Sequence, residues 1–424
     1  KATSTQWDAP GVQSTAFGLD NTIAGTACTV AGGYANSINS GDANSFIGAG
    51  EGNILTDTSK AFIGAGTENR IIGPDNTAIV SGSANLIGNG GFAAESAFIG
   101  AGDSNAIGNT AESLRCVIGG GNTNTINGLE CFIGGGKTNN ITTSLERPTS
   151  HCVIVGGLSN SIDQSLRSSI LGGNGNAIRA GGTTGSVAIE EGTVIGGKEN
   201  EIKLFGHRST AMGQKAQGYM ENQRVLGGGA FPDDQTTITG QAQISELVLF
   251  QDGIIASTTP SHYTLTTNGG PLVREDGADA TSADLAINSL HVPLNHAVFA
   301  RAEWTVFYYS GSTYKVAGGI AVASIYKDNT PGGPAVVEEY GEVMIGKRGG
   351  INPRGNAEYD SLGTAGFGTG AAWPTENTIA LFAPAGAGSA GRIDFKLAIP
   401  ADAEYTKVRA VARIHWTQCA HDGN

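Results

Sequence analysis

Apolar and polar positions in the first half of the chain recur in blocks. A small residue is followed two positions later by Val or Ile, then by a fixed glycine, then by Asn three residues beyond the glycine and Ile or Leu two beyond that. Clear copies read Phe62-Ile63-Gly64-Ala65-Gly66-Thr67-Glu68-Asn69-Arg70-Ile71 and Phe98-Ile99-Gly100-Ala101-Gly102-Asp103-Ser104-Asn105-Ala106-Ile107. Eleven copies align on Gly18, Gly33, Gly50, Gly66, Gly82, Gly102, Gly121, Gly136, Gly157, Gly173 and Gly197. The polar column is Asn21, Asn36, Asn53, Asn69, Asn85, Asn105, Asn124, Asn139, Asn160, Asn176 and Asn200, and the apolar column runs from Ile23 to Ile202 with Leu55 as its one leucine.

A copy this short cannot bury an apolar face alone, so the copies must stack and share one core. The position three before the glycine is Val or Ile in ten copies, with Thr15 the exception, a β-branched ladder suited to a buried strand. Glycine fits a tight corner that a Cβ would forbid. Asn fits a turn, where its amide bonds turn backbone or the Asn of the next coil. The asparagines are 15, 17, 16, 16, 20, 19, 15, 21, 16 and 24 residues apart, an irregularity that places insertions as loops on one side of a solenoid. At about 4.8 Å per coil, eleven coils would span roughly 50 Å.

After Ala230 the block pattern gives way to alternation. Expected strands are Glu246 to Phe250, Tyr263 to Thr266, His296 to Tyr309, Lys315 to Tyr326, Thr378 to Phe382, Arg392 to Ile399 and Lys407 to Trp416. In the longest, Val298, Ala300, Ala302, Trp304, Val306 and Tyr308 share a face opposite Arg301, Glu303 and Thr305. The pattern predicts an all-β protein: a parallel β-solenoid (β-roll) shaft over 1–229 with coils at about 14–216, a neck with first strands over 230–290, and an antiparallel β-sandwich knob over 291–424.

Composition narrows function. The formal charge is −13, and acidic residues outnumber basic ones in both halves, which argues against a nucleic-acid partner. No apolar run is long enough for membrane insertion, and no signal peptide is visible. Gly48-Ala49-Gly50-Glu51-Gly52 and Gly119-Gly120-Gly121 look faintly like phosphate loops, but they recur coil by coil without a following helix. His151, His207, His262, His291, His296, His415 and His421 show no metal-ligand spacing, so no metal or cofactor is expected. Cys28, Cys116, Cys131 and Cys152 each lie five residues before the column glycine, where other copies place Ser45, Ala61 or Thr77; they read as small buried side chains, with a disulfide between stacked neighbours allowed by distance alone. Cys419 stands apart.

Glu51, Glu68, Asp103 and Glu199 lie between Gly and Asn and read as solvated turn residues. The adjacent pairs Glu190-Glu191 and Asp233-Asp234 are poor catalytic pairs, because neighbours on a strand face opposite ways.

Two stretches resemble known families. Ser209-Thr210-Ala211-Met212-Gly213-Gln214-Lys215-Ala216-Gln217-Gly218 resembles the S-x-A-x-G-x-x-A-x-A repeat of trimeric bacterial adhesin (YadA-like) heads, and the upstream copies resemble I-G-G-G-x-x-N-x-I repeats of phage tail-fibre proteins. Ala297-Val298-Phe299-Ala300-Arg301, Ile325-Tyr326-Lys327-Asp328 and Val408-Arg409-Ala410-Val411-Ala412-Arg413-Ile414 resemble the C-terminal β-domain of phage fibres.

The resemblance implies a receptor-binding tail fibre of the virion, without enzymatic activity, that forms a homotrimer, joins other virion proteins through its N-terminal end and attaches to a host-surface glycan or protein. Alternatives are the head of a bacterial trimeric surface adhesin, whose stalk and membrane-anchor patterns do not follow Ala230, and a polysaccharide-degrading tailspike, which needs clustered carboxylates. Recognition is expected in the Gly346 to Pro374 stretch, too long for an ordinary hairpin, through Lys347, Arg348, Asn352, Arg354, Asn356, Tyr359, Asp360 and Trp373.

Overall fold

A computed structural model of the protein describes residues 12–89, 91–143, 148–180, 188–203, 205–229, 242–254, 261–268, 288–310, 313–328, 335–344, 380–384, 391–399 and 407–420. The fold is all-β, with β-solenoid coils over residues 15–228 in about thirteen turns and antiparallel strands after them. The chain forms two compact units, Lys1–Ala180 with Ala188–Glu199, and Asn200–Asn424 with Gly181–Val187.

In the first unit each coil gives one strand of two or three residues to each of two parallel sheets. One sheet stacks Phe62 on Phe46 and Ile63 on Ile47; the other stacks Arg70 on Ile54 and Ile71 on Leu55. Parallel in-register pairing places like on like, so the Val/Ile column of the first sheet and the Ile/Leu column of the second line one dry interior, with Ile47, Ile63, Ile118, Leu55, Ile71 and Ile126 all at 0% exposure. Burying one such side chain is worth about 1.5–3 kcal/mol. Strands this short hold only because every coil adds to the same core.

The corners explain the glycine column. From Gly18 to Gly197 its φ angles lie between 89° and 109°. A Cβ on any of Gly18 to Gly173 would sit 2.0–2.3 Å from the carbonyl oxygen of the next column glycine. Two further left-handed corners per coil fall on ordinary residues. One precedes the ladder asparagine, as at Glu68, Ser104 and Thr123, each with φ of 57°. The other precedes the small buried residue, as at Lys60, Arg115, Glu130, His151, Arg167 and Glu191, with φ of 53–57°. Each such residue costs about 1–2 kcal/mol in isolation. Stacking enforces the conformation through inter-coil bonds: Glu68 N–H donates to Glu51 C=O at 2.9 Å, Thr123 to Asp103 at 2.9 Å and Glu130 to Leu114 at 2.8 Å.

The first coil corrects the sequence alignment. Ala16, not Thr15, pairs with Val30 and is buried, while Thr15 pairs with Thr29. Gly18 still stacks on Gly33, so this coil is one residue shorter between strand and glycine. Thr15 is therefore no exception in the buried column; it belongs to the outward one.

The second unit opens with coil-like parallel pairs, Glu201–Lys203 with Gln217–Gly218 and Thr210–Gln214 with Arg224–Gly229. Antiparallel pairing then extends the second pair into a sheet ordered Arg224–Gly229, Ala242–Ile254, Lys407–Ala420, His296–Ser310, Thr313–Lys327 and Val336–Met344. A smaller sheet centres on Arg392–Ile399, with Ser261–Leu265 and Leu290–His291 on one edge and Ala380–Pro384 on the other. Leu249, Val298, Ala302, Trp304, Ala412 and Trp416 of the larger sheet and Leu265, Phe382, Phe395 and Leu397 of the smaller share one core, which makes this a two-sheet sandwich. Ala242–Ile254 pairs with Lys407 to Cys419, so the strand expected at Glu246 to Phe250 is present and extends well beyond those bounds. The alternation did not suggest Val336–Met344, whose Glu338-Glu339 interrupts it.

Candidate functional site

Three features of the first unit bear on function: the asparagine ladder inside, a row of charged corners outside, and the stacked thiols. From Asn36 to Asn176, each asparagine Nδ2 donates to the Oδ1 of the asparagine one coil earlier, at 2.9–3.1 Å. The same Oδ1 accepts the backbone N–H of the later asparagine, as for Asn124 on Asn105 at 3.0 Å. Asn124 Nδ2 also donates to Gly120 C=O and to Gly136 C=O, each at 3.0 Å. These amides are fully buried from Asn36 onward. In the second unit Asn200 Oδ1 accepts the N–H of Ala216 at 2.8 Å, so Ala216, three residues after Gly213, occupies the asparagine register without its amide. Buried and spent on one another, these side chains present nothing to a ligand.

The outer corners before the small-residue column carry charge. Glu130 is clamped between Arg115, whose Nε lies 2.9 Å away, and the His151 ring. Arg115 above all holds the Glu130 carboxyl below its usual range, which makes it a poor proton donor. Arg167 bonds Glu190 at 3.0 Å and Glu191 at 3.1 Å. This departs from the expectation that the two acids face opposite ways. Glu191 adopts φ of 57°, and that left-handed corner swings its carboxylate to the side of Glu190. Asp233-Asp234 lies outside the described residues.

Two other acids are shifted upward, Asp42 and Asp163, in each case chiefly by burial. Asp42 is 2% exposed, with Oδ1 accepting from Thr58 N–H and Oδ2 without a partner. It is sealed from any polymeric substrate. Asp163 accepts from Thr142 Oγ1 at 3.3 Å.

Cys28, Cys116, Cys131 and Cys152 are free, buried thiols. Cys131 N–H points at Cys116 Sγ at 3.4 Å, and Cys116 Sγ donates to Gly128 C=O at 3.0 Å. The facing Cys131 side chain and burial together push the Cys116 thiol well above its ordinary range. Among the described residues no group of three or more His, Cys, Asp or Glu is placed to hold a metal ion. His415 stands opposite Glu246 on one neighbouring strand and Arg301 on the other.

The residues assigned to recognition, Lys347, Arg348, Asn352, Arg354, Asn356, Tyr359, Asp360 and Trp373, lie outside the described residues. What sequence reasoning missed is the charged corner row; its signal was faint, a charged residue preceding the small column at Lys60, Arg115, Glu130, Arg167 and Glu191.

No family model and no curated protein matches the chain. Among solved structures, a tailspike protein, gp49, from Acinetobacter baumannii bacteriophage Fri1, described as a capsular polysaccharide depolymerase, aligns over 93% of this chain and 79% of its own at 9% identity, with a TM-score of 0.17. The tailspike protein of Acinetobacter baumannii phage AM24 aligns over 96% of this chain and 69% of its own at 11% identity, with a TM-score of 0.17. The similarity to these phage tailspikes is weak and carries no weight for function.

Proposed function

We propose that this chain is a non-enzymatic fibre of a bacteriophage particle, a homotrimeric shaft carrying a C-terminal β-domain that attaches to a glycan or protein on the host surface. The observation that supports it is the asparagine ladder: its buried amides are spent on neighbouring coils, as suits a rigid spacer. A coil this thin encloses little core, and trimerisation would add the burial that one chain lacks. In this reading the N-terminal end joins other virion proteins, no cofactor is used, and neither nucleic acid nor membrane insertion is involved. The wording of residues 209–218 fits a YadA-like head repeat at the end of the shaft.

Attachment is assigned to the Gly346 to Pro374 stretch, with Lys347, Arg348, Arg354, Asn356, Tyr359 and Trp373 as contacts, because aromatic and hydrogen-bonding groups among glycines suit a surface ligand. Three copies would turn a weak contact into avidity. The test is to measure binding of labelled protein to a panel of bacterial strains, with Tyr359→Ala and Trp373→Ala in the folded protein. Undiminished binding would move attachment elsewhere.

A polysaccharide-degrading spike is the second reading, favoured by the acids Glu130 and Glu191 on outer corners, with Glu190 on the strand just before Glu191. Release of reducing sugar from purified capsule, abolished by Glu130→Gln or Glu190→Gln, would replace the first reading with this one.

A further inference from the structure

One outward face of the solenoid is apolar along almost its whole length. It is built from two columns, the residues on either side of the buried Val/Ile position. Where the first holds phenylalanine, at Phe46, Phe62, Phe98 and Phe132, the second holds glycine, at Gly48, Gly64, Gly100 and Gly134. Each ring lies over its glycine: a Cβ on Gly64 would meet Phe62 at 3.2 Å, and one on Gly134 would meet Phe132 at 3.4 Å. Where the first column holds a smaller residue, the second supplies the bulk in Phe17, Val80, Leu171 and Ile195, and in one coil both columns carry valine, Val153 and Val155. Val117 fills its own coil, and only the coil with Thr29 and Ala31 lacks a large group. Either column can carry the bulk, so neither looks like a pattern alone.

This stripe is exposed: Phe17 at 49%, Phe98 at 38%, Val155 at 51% and Ile195 at 47%. No charged residue occurs in either column from Thr15 to Ile195. The corresponding outward positions of the other sheet include the exposed Arg70 and Arg179, as a solvated face should. Nor does any insertion interrupt the stripe. From Cys28–Ile38 onward, the stretch from the small residue to the Ile/Leu after the asparagine is always eleven residues long, and all length variation falls elsewhere in the coil.

We propose that the stripe is a self-association surface, on which copies of this chain lie side by side, parallel and in register, with their stripes turned to a common axis. This rests on the homotrimer in the proposed function and names its contact face. A second copy is the occupant that matches the stripe's period, since any partner must offer one apolar group per coil at about 4.8 Å intervals. Coils stacked at that spacing keep such a match over ten coils only against another stack of the same repeat. Size agrees as well. The stripe exposes on the order of 700 Å² per chain, near the roughly 800 Å² per partner of an ordinary stable interface. An uncharged seam also brings acidic chains together without opposing like charges.

The test compares the full chain with a Phe98→Ser/Phe132→Ser/Val155→Ser variant by mass photometry and sedimentation, with circular dichroism to verify the fold. The parent should be a trimer at micromolar concentration, and the folded variant should dissociate at a concentration at least about tenfold higher per phenylalanine removed. Independently, Phe98→Cys in a Cys419→Ser background should form a same-residue disulfide under mild oxidation, whereas Glu68→Cys in that background should not. The cross-link keeps the question answerable if the triple variant fails to fold. A monomeric parent would overturn the trimer and this surface together. A trimeric parent whose folded triple variant stays trimeric, or whose Phe98→Cys does not cross-link, would overturn the surface and leave the trimer standing.

Discussion

Asn124 Nδ2 lies 3.1 Å from Asn105 Oδ1, and Asn124 Oδ1 in turn accepts from Asn139 Nδ2 at 3.1 Å and from Asn139 N–H at 3.0 Å. Each amide is donor to one coil and acceptor to the next. That reciprocity demands both halves of an amide at every rung.

Asn124→Asp should therefore destabilise more than Asn124→Ala, although Asp is the closer isostere. Alanine leaves buried carbonyls such as Gly120 C=O without their donor, at about 1–3 kcal/mol for each unsatisfied group. Aspartate loses the same donor bonds and adds a buried charge, which costs several kcal/mol more. Chemical denaturation of the two variants checks the order, and equal stability would remove the ladder's directional role.

Gly121→Ala and Gly120→Ala form a matched pair. At Gly121, φ is 96° and a Cβ would lie 2.1 Å from Gly136 O, whereas at Gly120 the nearest atom is Ala101 O at an ordinary 3.5 Å. Gly120→Ala should shift the melting temperature little. Gly121→Ala should lower it by the equivalent of at least about 1–3 kcal/mol, because backbone oxygens cannot step aside.

Asp42 supplies a pH signature. Burial raises its folded pKa above the unfolded one, so the folded state binds the proton more tightly. Stability from this group is complete below the ordinary Asp range and is lost as pH rises through the raised value. Asp42→Asn keeps an oxygen for Thr58 N–H and cannot ionise. The stability of Asp42→Asn minus that of the parent should move in the variant's favour between about pH 3 and about pH 7. A difference that does not change with pH would contradict the buried, charge-averse setting.

Thiol chemistry separates the cysteines. Cys419 is exposed and the other four are buried. Titration of the native protein with a disulfide reagent should modify one thiol per chain, and all five after denaturation. Rapid native modification of Cys116 would mean that the coils near it open.

The sequence by itself determined the solenoid. Gly, Asn and Ile recur because each answers a fixed demand of the coil: a φ near 100°, a two-sided amide, a β-branched plug. It also determined the inward faces of His296–Ser310 and Lys407–Ala420, since alternation is a local property of a strand. Tertiary structure decided the rest. The corners at Glu68, Thr123 and Glu130 are left-handed because neighbouring coils hold their N–H groups, and no local propensity announces it. Glu190 and Glu191 meet on Arg167 because one such corner turns the chain between them. Ala16 displaced Thr15 from the core because pairing with Val30 sets the register, and Lys407–Ala420 sits between Ala242–Ile254 and His296–Ser310 through pairings between segments far apart in the sequence. The apolar stripe belongs to this second class: a ring from one column covers the gap left in the other, and only the folded strand brings Phe62 over Gly64.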